Sequence, residues 1–94
     1  MYMVVSHWKP LPGKQAEFEK NGLEARRRGR GIEGVVSIEA FWSGDEIVVV
    51  HTYTDAETYG RLMADDGPFA ENMKDIGIEE AGEWIGSERG ETLE

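Results

Sequence analysis

Two short stretches of this chain, Met3-Val4-Val5 and Ile47-Val48-Val49-Val50, are apolar at every position. A strand turns successive side chains to opposite faces, so such runs belong in the middle of a sheet, covered on both sides. The other two strand-like segments, 34–42 (GVVSIEAFW) and 78–86 (IEEAGEWIG), carry carboxylates at Glu39, Glu79, Glu80 and Glu83. They suit edges, where charge discourages pairing with another chain. Residues 2–8 read as the first strand, closed by Lys9-Pro10, and 14–28 as a helix after the turn at 11–14. Gly44-Asp45 makes a tight hairpin bend between the second strand and a third at 47–53. Thr54-x-x-Glu57 reads as a capping box for a helix to about Met63. Asp65-Asp66 then caps a short helix begun by Pro68, with Phe69, Met73 and Ile76 inward and Gly77 at its end. The order β-α-β-β-α-β is the α+β, ferredoxin-like arrangement, and right-handed crossovers put the first and third strands at the centre of a four-stranded antiparallel sheet.

The first helix is unusual for its thin inner face. Phe18, Gly22 and Ala25 recur at helical spacing with Leu23 beside them. Gly22 costs about 1 kcal/mol relative to Ala inside a helix, which points to close packing against the sheet. Gly29 and Gly31 read as stop residues, so the stretch RRRGRG (26–31) falls at the helix end, where cations complement the dipole.

Ninety-four residues form one domain, here 1–86, with a polar tail at 87–94. A formal charge of -9 opposes nucleic acid and anionic membranes, and RRRGRG has no interleaved aromatic residues for base stacking. Without cysteine there is no disulfide, thiolate metal site or thiol nucleophile. The beginning MYMVVSHWKP has neither the basic end nor the apolar run of a signal peptide, and nothing approaches a membrane span, so a cytoplasmic location is expected. Two helices cover one sheet face only. A second copy of the chain is the simplest cover for the other, which predicts a homodimer.

In this order and spacing, PGKQAEFEK (12–20), GVVSIEAF (34–41) and VVVHTYTDAETYGRLMADDGPF (48–69) resemble the dimeric α+β barrel superfamily, specifically the antibiotic-biosynthesis-monooxygenase-like (ABM) domains. The resemblance spans nearly all of residues 2–86. It implies a homodimer with a pocket in each subunit between sheet and helices. It also implies a candidate activity, oxygenation of small aromatic or quinol-like molecules without metal or flavin, hence no cofactor. The alternative is a non-catalytic dimer that binds a small hydrophobic ligand or haem. In haem-degrading relatives an Asn, a Trp and a His serve the cofactor; His7, Met63 and Met73 occupy those positions here, which counts against haem degradation.

Two histidines occur, His7 near the end of the first strand and His51 near the end of the third. In an antiparallel pair His7 falls near Val48 and His51 near Val4, roughly 10–14 Å apart, too far to share a metal. The plainer reading of each is a strand histidine bonded to a polar neighbour. For an oxygenase, His7 is the candidate base, with Tyr59 or Tyr53 as hydrogen-bond donor to the substrate anion. Trp42, His51, Met63, Phe69 and Met73 are candidate ligand contacts, with core packing as the alternative. No metal site is expected.

Overall fold

A computed structural model describes residues 1–93 of the chain. Strand β1 (Tyr2–Pro10) leads into helix α1 (Gln15–Arg30), and β2 (Val35–Ser43) and β3 (Glu46–Tyr53) form the hairpin. Three helical pieces follow, α2 (Ala56–Leu62), α3 (Pro68–Ile76) and α4 (Ile78–Ala81), before the last strand β4 (Gly82–Glu91). The sheet order is β2-β3-β1-β4 with every neighbour antiparallel, so the two apolar strands are central as expected. His7 pairs with Val48 and Val4 with His51, the register read from the sequence.

Several elements depart from the sequence reading. Helix α1 continues through Gly29 to Arg30, because Gly29 is a packing residue: a Cβ there would lie 2.6 Å from Ile38 Cδ1. Helix α2 is capped by Asp55, whose carboxylate accepts from the Thr58 N–H at 2.7 Å, and not by Thr54 and Glu57. Helix α3 begins at Gly67-Pro68 with no side-chain cap, so Asp65 and Asp66 do not serve it. Residues 78–81 form a helical turn because Ile78 and Ala81, three apart, are both buried in the core beside Phe18. Strand β4 therefore starts later and runs through Glu91, into the segment read as a polar tail.

Two bulges re-aim side chains. The irregularity between Val35 and Ser37 turns Val35 onto the helix side, against Val4, Tyr53 and Leu62, and leaves Val36 exposed. A second, opposite His7/Trp8, inserts Ile85 into β4, so that Trp84 and Ser87 share one face although three residues apart.

The core is in two parts. Phe18, Ile47, Ile78 and Ala81 form one cluster, and Val4, Tyr53 and Leu62 the other. The space between them is the candidate site.

Candidate functional site: a cavity between the sheet and α1

The thin inner face of α1 has a structural counterpart. Phe18, Gly22, Ala25 and Arg26 roof a cavity of about 140 Å³, and α3 closes it with Phe69, Asn72 and Met73. Its floor is the helix side of the sheet, with Ser6, Ile38, Val49, His51 and Tyr53. Gly22 does not touch the sheet as expected. A Cβ there would crowd the Arg26 guanidinium, 3.0 Å away.

Across the apolar floor runs a chain of polar groups. Tyr53 OH lies 2.6 Å from His51 Nδ1, and His51 Nε2 lies 2.9 Å from Ser6 Oγ. Ser6 Oγ is in turn 3.0 Å from Ser87 Oγ, which also accepts the Trp84 indole N–H at 3.1 Å. The β4 bulge makes the last contact, and alternation along β1 and β3 makes the others. Burial lowers the His51 pKa to about 4, so the ring is neutral at pH 7 with one N–H and one lone pair. Burial, with Tyr59 beside it, raises that of Tyr53, which keeps its proton. Tyr59 packs on Tyr53 with ring centroids 5.0 Å apart, and Phe69 at 6.0 Å, so the phenol is held rigidly.

Five of the eight candidate residues meet at this cavity: Tyr53, His51, Met63, Phe69 and Met73. Tyr59 supports Tyr53 from behind. Trp42 does not line the cavity. It sits at the end of β2, 43% exposed.

The placement of His7 requires a correction. Its register partner Val48 and His51's partner Val4 alternate out of phase, so the two histidines lie on opposite faces of the sheet. His7 is bonded to Glu88 (2.9 Å) and sits 3.6 Å from Glu46, away from Tyr53 and Tyr59. It cannot act as base beside either phenol within one subunit. For the same reason His7, Met63 and Met73 do not converge on a haem-sized site. The sequence reading missed Ser6, Ser87, Arg26 and Asn72. Ser6 was legible, being the polar residue in phase with Val4 on a central strand. No group of three or more His, Asp or Glu side chains among the described residues is arranged to hold a metal ion.

No family model matches this chain, and no curated protein does. Among solved structures, SnoaB from Streptomyces nogalater, a cofactor-independent oxygenase, superposes with a TM-score of 0.80 over 99% of this chain and 93% of its own, at 14% identity. A candidate antibiotic biosynthesis monooxygenase from Nitrosomonas europaea matches over 100% of both chains, with a TM-score of 0.76 and 10% identity. The chain has the ABM-like fold. Rv0793 from Mycobacterium tuberculosis also superposes, with a TM-score of 0.79 and 16% identity over 99% of this chain and 95% of its own. At these identities the likeness is one of fold, so chemistry rests on the residues around the cavity. Among the described residues, no helix of the chain is long and apolar enough to cross a membrane.

Proposed function

We propose that the cavity binds a small aromatic hydroxy compound and that the protein is a cofactor-independent oxygenase acting on it. The observation that carries this reading is the chain of Tyr53, His51 and Ser6 in the floor of a cavity lined mostly by apolar side chains, continued behind the floor by Ser87 of β4. A cavity near 140 Å³ is about the size of an engineered apolar cavity that takes up benzene, so one ring is enclosed and a second extends through the mouth.

The chain supplies a route for a proton. With Tyr53 donating to Nδ1 of His51, Nε2–H donates to Ser6 and Ser6 to Ser87. A substrate hydroxyl that donates to the Tyr53 oxygen can lose its proton to Tyr53. The Tyr53 proton passes to Nδ1, the Nε2 proton to Ser6, and the Ser6 proton to Ser87, which releases its own to water. Every hydroxyl is then reversed, and Tyr53 donates to the new substrate anion. Deprotonation and anion stabilisation are thus one motion. The electron-rich anion reduces dioxygen directly: in an anthrone, the ring methylene becomes a carbonyl, one oxygen atom becoming the carbonyl oxygen and the other leaving as water with the two methylene hydrogens. Both the oxidant and the reductant are substrates, so the step balances without a bound cofactor.

The same reading includes a homodimer through the open sheet face. Met3, Phe41 and Val50 lie on that side with no helix over them, Phe41 being 54% exposed. A second copy buries this patch and leaves the cavity, on the other side, accessible.

Oxygen consumption with an anthrone or a reduced naphthoquinol, above the rate without protein, tests the activity. His51→Phe is expected to lose at least tenfold, whereas His7→Ala and Glu79→Ala retain the rate within about twofold. Absence of uptake across the panel removes the enzymatic reading and leaves a binding protein.

A further inference from the structure

The four arginines of RRRGRG do four different things. Arg28 bonds Glu24 at 3.1 Å and Asp75 at 2.7 Å, tying α1 to α3. Arg30 donates twice to the Ile38 carbonyl, at 2.7 and 3.2 Å, tying α1 to β2. Arg27 is exposed. Arg26 turns into the cavity roof and, among the described residues, has no hydrogen bond and no carboxylate within 4.0 Å. In a chain with 19 acidic side chains, an arginine half withdrawn from water without a partner is conspicuous. A guanidinium presents five donors in a planar fork, and taking it out of water costs stability unless those donors are used.

Its surroundings keep it that way. Gly22, one turn earlier, leaves the space that the guanidinium occupies, since a Cβ would lie 3.0 Å from Arg26 Nη1. Burial lowers the Arg26 pKa, and Arg30 lowers it further; Glu19 and Glu39 act in the opposite direction from beyond ion-pair distance. The guanidinium stays charged all the same, because an arginine does not lose its proton in a protein. The second polar group of the roof is the Asn72 amide, on α3. The cavity therefore has hydroxyls and a neutral imidazole in its floor and an unpaired cation in its roof.

We infer that Arg26 is the anion-binding residue of this cavity and that the ligand is an aromatic hydroxy acid, its carboxylate on the guanidinium and its ring hydroxyl on Tyr53. The inference rests on the cavity being a ligand site, as proposed above, but not on oxygenation. A carboxylate accepts two parallel N–H bonds from arginine, a geometry that a hydroxyl cannot match. The ring fills the apolar space between the two core clusters, so the ligand is read at both ends and enclosed in the middle.

Calorimetric titration of the full chain with 6-hydroxy-2-naphthoate, whose hydroxyl and carboxylate stand at opposite ends of the ring system, and with 2-naphthol tests this directly. The acid is expected to bind at least tenfold more tightly, and the preference to weaken with added salt. Arg26→Met, which keeps the aliphatic bulk, brings the two affinities to within about twofold by weakening the acid alone. Arg26→Lys restores part of the preference, and Arg27→Gln leaves it intact. Equal affinities in the wild-type protein, or an Arg26→Met variant that weakens both ligands alike, overturn the inference while the cavity remains a ligand site. Binding of neither compound to the wild-type protein overturns both readings.

Discussion

His51 is buried with both ring nitrogens engaged, and its pKa near 4 lies below the ordinary histidine value. Well above pH 6.5 the ring is neutral folded and unfolded, and its ionisation does not affect stability. As the pH falls, the unfolded chain takes up the proton first, so the folded state loses stability progressively down to about pH 4. Between pH 7 and 5 the loss attributable to this residue is about 2 kcal/mol. His51→Gln, which cannot titrate, is expected to lack that component when urea unfolding is compared at the two pH values. If the variant and the wild-type protein lose equal stability, His51 is not held neutral. His51 also shows what the sequence could and could not reveal. Its register opposite Val4 followed from antiparallel pairing, but choosing between the two histidines required knowing which face the helices cover, and the central strands are apolar on both. His7, in phase with Met3 and Val5, looked no less inward than His51.

At the scale of elements, α1 carries the most functional information. Its inner stripe of Phe18, Gly22 and Ala25 was visible as a thin apolar face, and small side chains there leave the cavity that larger ones would fill. The sequence suggested instead that α1 approached the sheet at Gly22, when the close approach is about two helical turns beyond, at Gly29 against Ile38. Glycine spacing alone does not say which glycine touches and which leaves room. Ala25→Leu is expected to raise stability by about 1 kcal/mol by filling the cavity, and to cut affinity for any ring-containing ligand at least tenfold. Urea unfolding and calorimetry on one preparation read both effects. A variant that binds normally would place the ligand elsewhere. The order and pairing of all four strands were legible, because they depend on apolar runs and turns. The IEEA segment was not: alternation and a three-residue helical repeat look alike over four positions.

At the scale of the whole molecule, shape and charge act in opposition. The open sheet face favours self-association, while each chain brings a formal charge of -9. Salt screens that repulsion with a Debye length of about 10 Å at 0.1 M, so the proposed dimer is expected to tighten as ionic strength rises. Sedimentation at micromolar protein should give twice the chain mass of 10.5 kDa at moderate salt, and a smaller value in dilute buffer or in Phe41→Asp. A single-chain mass at every ionic strength would mean that the open face has another cover.

The three tryptophans stand in three distinct relations to the cavity. Trp8 forms part of its wall, Trp84 donates its indole N–H to Ser87, the last hydroxyl of the hydrogen-bonded chain, and Trp42 lies out on the hairpin. The molecule thus carries its own optical probes: one for occupancy, one for the polarity of the hydrogen-bonded chain, and one that serves as an internal reference.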